Sequence, residues 1–225
     1  MRNKELIEQE SKKLNPEDKP VAQSIASSVQ NQVLSLATGR MAGGVAMGRA
    51  GGDESQENGF WMHGLFNKSK LNDQFHGYTR GVALGADTLI DRKWTIGGGL
   101  AINNSDVYAD SRHTDIDSKT LFLYGQYKPS KWFVNATATY SMSEYTENKT
   151  VAGVGLGASY DVDAYGAQFM TGYDFATGIT TQAGMRYLHI AQDSYIDDRD
   201  AQIMATDTDF LTGVAGLKYA FAIEN

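Results

Sequence analysis

The 225-residue chain contains no cysteine, only three prolines and no long apolar run. Without cysteine it has no disulfide framework and no thiolate metal site. No stretch approaches the roughly 18 consecutive apolar residues of a membrane helix, so any membrane span must be built from strands. The opening segment, Met1 to Glu8, lacks the apolar core of a signal peptide. Basic residues are outnumbered, 20 Lys and Arg against 27 Asp and Glu, and the net charge of −7 speaks against nucleic acid as a partner. Glycine (24) and tyrosine (12) are plentiful instead.

Residues 1–20 are polar, hold Pro16 and Pro20, and read as a linker. Pro20 suits the first turn of a helix, where its fixed φ is already helical. From there the pattern predicts a helix over 21–39. Val21, Ile25, Val29, Val33 and Leu36 form one narrow stripe, and Gly39 is a natural stop. The other positions, such as Gln23, Ser27, Asn31, Gln32 and Ser35, are polar yet uncharged. A surface helix normally carries Lys and Glu on its wet face, so this one suits a confined polar surrounding. At about 1.5 Å per residue it would be ~27 Å long, close to the thickness of a hydrocarbon core. Residues 40–58, with Gly43, Gly44, Gly48, Gly51 and Gly52, read as a flexible connection.

From residue 59 onward the period becomes two, the signature of strands with two distinct faces. Trp132, Val134, Ala136, Ala138, Tyr140 and Met142 alternate with Phe133, Asn135, Thr137, Thr139 and Ser141. Trp94, Ile96, Gly98 and Leu100 alternate with Thr95, Gly97, Gly99 and Ala101. Val82 and Leu84 alternate with Gly81, Gly85 and Asp87, and Leu217 and Tyr219 oppose Lys218. Eight strands are expected, at 59–68, 77–90, 93–106, 117–128, 131–144, 160–175, 178–192 and 209–222.

Their connections alternate strictly. Those at 90–93, 128–131 and 175–178 are tight, whereas 67–76, 106–118, 144–160 and 193–209 read as long polar loops. An antiparallel meander gives this pattern when one end carries tight turns and the other long loops, as in outer-membrane barrels. Trp94, Tyr127, Trp132 and Phe133 flank tight turns, and Tyr140 and Tyr145 approach a long loop, as girdles at two lipid–water boundaries would place them.

At this point the residues resemble a known family. Gly81 to Asp87 and then Trp94 to Asp106 are similar to the start of an autotransporter β-domain, the translocator of type V secretion. Leu123 to Tyr127, Trp132 to Tyr140 and Gly184 to Tyr187 continue the resemblance in order, over about 20–222. The resemblance implies an all-β fold: an antiparallel meander of a transmembrane β-barrel preceded by one α-helix, with about eight of twelve strands in this chain. It also implies a helix threaded through the lumen and an upstream passenger carried to the cell surface. The expected partners are outer-membrane lipid, the barrel-assembly machinery and periplasmic chaperones. Residues 59–225 would be a partial barrel, since the chain does not end on the terminal aromatic such proteins carry. An eight-stranded barrel has an interior just wide enough for side chains, so eight strands plus a lumenal helix is inconsistent unless the sheet is open: either strands are missing or the helix lies outside.

On this reading Asn31, Gly81, Gly85, Asp87, Gly97, Gly99, Asn135, Thr137 and Thr139 face the lumen. Val82, Leu84, Ile96, Leu100, Trp132, Val134, Tyr140, Leu217 and Tyr219 face lipid. Glycines 97–99 would let the helix backbone approach, or bend the wall. His63, His76, His113 and His189 lie in separate segments without metal-ligand spacing. The acidic segment 193–200 lacks the Gly and the closing Glu of a calcium loop. No cofactor, metal site or catalytic constellation is expected. Some autotransporters cut their passenger at a helix Asn activated by barrel carboxylates, and Asn31 with Asp87 is the pair to examine. The function expected is a non-enzymatic translocator and anchor in the outer membrane of a Gram-negative cell. The alternatives are an adhesin or surface-antigen barrel acting through its long loops, or a soluble antiparallel β-protein.

Overall fold

The computed structural model describes residues 19–41, 58–71, 75–109, 112–151, 153–176, 178–198, 200 and 202–219. The linker at 1–18, most of the Gly-rich connection (42–57) and the last six residues lie outside them.

One helix, α1 (Lys19–Met41), precedes the strands. It outruns the expected 21–39 at both ends. Pro20 sits in its first turn, where a missing N–H costs nothing. Gly39 does not stop it, because Met41 is buried and Arg40 is ion-paired beyond it. Helical glycine costs about 1 kcal/mol, less than those contacts return. The helix is not long and apolar enough to cross a membrane.

The strands are β1 (Asn58–Leu71), β2 (Phe75–Ile90), β3 (Trp94–Ala109), β4 (Arg112–Tyr127), β5 (Trp132–Val151), β6 (Val154–Asp174), β7 (Ile179–Gln192), a small ribbon of β8 (Tyr195–Ile196) with β9 (Gln202–Ile203), and β10 (Thr206–Tyr219). Each main strand pairs antiparallel with its sequence neighbour, giving one eight-stranded sheet in the order β1-β2-β3-β4-β5-β6-β7-β10. The sheet is open, with β1 and β10 as its edges. It bends around α1, which contacts each of the strands β1 to β7 and hydrogen-bonds to β10 through Gln23.

The tight turns fall where expected. Asp91 and Arg92 both have positive φ, and Lys93 N–H donates to the Ile90 carbonyl. This is a type I′ turn, whose twist matches the flanking strands. The long loops are different. Strands β3 and β4 keep pairing to Ala109↔Arg112, and β5 and β6 to Val151↔Val154. The segments 106–118 and 144–160 are therefore paired hairpins with short tips, and β1 and β2 likewise continue to Leu71↔Phe75. Residues such as Asp115, Thr146 and Ser159 carry no apolar alternation, yet their backbones still pair. Among the described residues, the long connection is the one between β7 and β10, which carries the β8–β9 ribbon. It folds back along the outer part of β6, where Asp193 and Asp198 N–H groups reach the Asp161 and Gly157 carbonyls.

Two aromatic expectations fail on parity. Phe133 and Tyr145 sit at odd positions of β5, which point toward the helix, and both are buried. Trp94, Tyr127 and Trp132 do cluster beside the tight turns, with ring centroids 4.4 and 5.5 Å apart.

Candidate functional site

The helix and the inner face of the sheet form the one extended polar and apolar interface of the described residues, in three tiers. At the hairpin end, Ala22, Ile25, Ala26 and Val29 pack against Phe75, Val107, Ile116, Tyr145 and Leu188. Tyr145 is fully buried, and its hydroxyl donates to the Ala22 carbonyl at 3.1 Å. That carbonyl belongs to the first turns, so the contact holds the helix entry to the sheet.

The middle tier is polar. Gln30 is fully buried. Its amide donates to the Ala164 carbonyl at 3.1 Å, and its oxygen accepts from Thr139. Gly166 makes room, since a Cβ there would stand 2.9 Å from the Gln30 oxygen. Arg186 donates to Asn31 Oδ1 at 2.6 Å and to Gln168 Oε1 at 2.8 Å. Gln168 then donates to Thr38 at 2.8 Å, and Thr38 to the Leu34 carbonyl. Sheet and helix thus share one chain of donors and acceptors, so neither slides without breaking several bonds.

At the tight-turn end, Arg40 binds Asp87 through two nitrogens at 2.7 and 3.0 Å. Tyr124 donates to the same carboxylate at 2.8 Å, and the Trp61 indole donates to Tyr124 at 3.1 Å. Arg40 also lies over the Trp61 ring, 5.3 Å from its centroid. A nearly buried carboxylate with three charge-assisted or phenolic donors is well satisfied. Val33, Leu36, Ala37 and Met41 complete this tier against Leu65 and Phe122.

Of glycines 97–99, expected to admit the helix backbone or bend the wall, Gly97 and Gly99 leave room for rings, as does Gly85. Across four strands the directly opposed row is Trp61, Gly85, Gly99, Phe122. A Cβ at Gly85 would stand 2.3 Å from the Trp61 ring, and at Gly97 2.5 Å from Tyr124. Both aromatics lean over this glycine floor, with the Trp61 and Phe122 centroids 5.9 Å apart.

Gly81, Gly85, Asp87, Gly97, Gly99, Asn135, Thr137 and Thr139 all lie on the helix side of the sheet. Val82, Leu84, Ile96, Leu100, Trp132, Leu217 and Tyr219 are exposed on the opposite side. Val134 and Tyr140 share that side and are half-covered, Tyr140 by stacking on Tyr165. Asn31 does not meet Asp87: it faces the Arg186 guanidinium, while Asp87 is taken by Arg40, more than two helical turns further on. The carboxylate-activated asparagine is therefore not assembled among the described residues. Arg40, Trp61, Tyr124, Gln168 and Arg186 were not singled out from the sequence. The available signals were Arg40 as the first charge after a long neutral stretch, and Arg186 as a charge at an inward parity.

The side of α1 that turns away from the sheet carries Gln23, Ser24, Ser27, Ser28, Asn31, Gln32 and Ser35. They line a cleft with Phe66 and Asn67 of β1 and Phe210 of β10. The uncharged polar stripe therefore faces the opening between the two sheet edges. Asn67 and Thr208, one from each edge strand, hydrogen-bond to Ser28 and Gln23 of the helix.

Comparison with known proteins agrees with this architecture. A family model described as autotransporter beta-domain matches residues 58–225. Outer membrane protein B of Rickettsia japonica is 25% identical over 183 residues, which is 70% of this chain and 11% of that protein. The same protein of Rickettsia prowazekii is 25% identical over 182 residues, again 11% of its length. The chain thus spans about a tenth of the curated relatives it matches. Among solved structures, the translocator domain of autotransporter NalP from Neisseria meningitidis superposes with a TM-score of 0.75 at 15% identity, covering 91% of this chain and 73% of that one. The beta domain of the Bordetella autotransporter BrkA gives 0.60 at 13% identity, covering 72% and 69%.

Proposed function

The chain belongs to the autotransporter β-domain family, and on that premise we propose that it is the outer-membrane translocator and anchor of a passenger joined ahead of α1. Its place is the outer membrane of a Gram-negative cell. The observation that carries the reading is the direction of the helix. Its N-terminal turns lie at the hairpin end, against Tyr145, and Arg40 lies at the tight-turn end, against Asp87. Tight turns face the periplasm in such barrels and longer connections face outside. A passenger preceding residue 19 would then emerge outside, with the helix as its tether and plug.

The outer face of the sheet meets lipid. Its apolar run along β5 from Trp132 to Met142 spans about ten residues. At roughly 3.3 Å each and a tilt near 40°, that gives a band of roughly 25 Å. The inner face lines a polar path. Asn103, Ser105, Asn135, Thr137, Thr139 and Ser141 make it hydroxyl- and amide-rich. The role is positional. Insertion would draw on the barrel-assembly machinery and periplasmic chaperones.

The test is a reporter fused ahead of residue 19 in the complete outer-membrane protein. Protease added to intact cells should remove the reporter and leave the domain in the membrane. A reporter that stays protected in the periplasm of cells with a correctly inserted barrel sinks the reading.

A further inference from the structure

Three arginines, Arg40 of the helix and Arg112 and Arg186 of the sheet, differ in their company. Arg40 has Asp87 at 2.7 Å, and Arg112 has Glu147 at 3.2 Å. Arg186, half-buried on β7, has only the neutral oxygens of Asn31 and Gln168. Among the described residues no carboxylate lies within ion-pair reach of it. A guanidinium carries five N–H donors, and three are used here.

Its surroundings make the imbalance sharper. Arg186 lines a cleft that runs from His63 and Leu65 on β1 to Val214 and Lys218 on β10, across the opening of the sheet. That lining includes Arg40, Arg186 and Lys218 and no carboxylate. Long charged side chains are rarely withdrawn from water unless paired, and an open strand edge is not tolerated in lipid. Both defects, the free strand edges and the unmatched charge, sit at the same opening.

The family's barrel carries further strands across the opening between β10 and β1, and we propose that one of them turns a carboxylate inward onto Arg186. This rests on the translocator reading above and adds to it the chemistry of the missing wall. The carboxylate would complete a bridge from that wall through Arg186 to Asn31, locking the helix from the side the eight strands leave uncovered.

The experiment uses the complete outer-membrane protein and the temperature at which its folded gel band converts to the unfolded one. R186K should keep most of the wild-type value. R186Q should lower it, and R186E should lower it further, by about 10 °C in all, since a paired buried charge is replaced by two opposed ones. Second-site suppressors of R186E should change an acidic residue, at an inward position of the closing strands, to Gln or Lys. The proposal is overturned if R186E is no worse than R186Q, if suppressors arise only at Asn31 and Gln168, or if wild-type stability follows the phosphate concentration, which would make the partner a free anion. Should R186E fail to insert, equal values for R186K and R186Q overturn it as well. Surface exposure of the passenger is scored separately, so failure of the translocator reading is distinguishable from failure of this one.

Discussion

The two ends of the helix are held by different physics. At the hairpin end the grip is mainly apolar, through Ile25 and Val29 among aliphatic and tyrosine side chains, with neutral hydrogen bonds from Tyr145 to the Ala22 carbonyl, from Gln23 to Thr208 and from Asn67 to Ser28. At the tight-turn end an apolar cluster is also present, but a carboxylate, a guanidinium, a phenol and an indole are joined in sequence beside it. Apolar contact supplies free energy in proportion to area and tolerates small rotations. The charged clamp is directional and is satisfied at one rotation and one height of the helix. The comparison teaches that one end supplies adhesion and the other supplies register.

The largest effect should come from breaking the clamp on one side only. Asp87→Ala leaves Arg40, whose side chain is 8% exposed, without a counter-charge. The expected loss is about 3–5 kcal/mol, read as a lower gel-shift temperature and as a rise in bilayer conductance when the plug loosens. Replacing both partners, as Arg40→Met with Asp87→Leu, should recover most of the stability. If the double variant is as damaged as the single, the clamp argument fails. Next in size is Ile25→Ala at the apolar end, with an expected loss of about 2–4 kcal/mol from a cavity at a fully packed position. It should leave the helix register unchanged, checked by cysteine cross-linking of helix to wall. Smallest is Tyr145→Phe, which removes the bond to the Ala22 carbonyl while keeping the ring, for about 1 kcal/mol. A larger loss than that of Ile25→Ala would overturn the division of labour between the ends.

Much of this was legible in advance, for a definite reason. Alternation survives wherever one face meets apolar surroundings, so Val82, Leu84, Ile96 and Leu100 and their opposites Gly81, Gly85, Gly97 and Gly99 could be sorted by parity. Beyond the apolar band the outward face turns polar, and the inward apolar residues, such as Val107 and Ile116, are too widely spaced to show an alternation. There the signal ends although the pairing continues, which is why Thr146↔Ser159 and Asp106↔Asp115 read as loops. The polar contacts were not legible, because they depend on register and helix rotation together. Arg40 meets Asp87 across 47 residues and Arg186 meets Asn31 across 155. No local pattern encodes such a meeting. The tempting pair, Asn31 and Asp87, failed for the same reason: a shared lumenal side does not mean a shared height.

The glycine floor also bears on how this wall can vary over generations. Trp61 and Phe122 occupy the volume that side chains at Gly85 and Gly99 would need. A larger residue at either glycine evicts a ring, and a smaller residue in place of a ring leaves a hollow beside the helix. Shrinking a ring does not make room for a larger floor residue either, because a Cβ at Gly85 would also stand 2.5 Å from the Gly98 carbonyl and one at Gly99 2.3 Å from the Leu84 carbonyl. Inherited changes should therefore spare both glycines, whereas Thr120 and Ser141, directly opposed and hydrogen-bonded to one another, should change together.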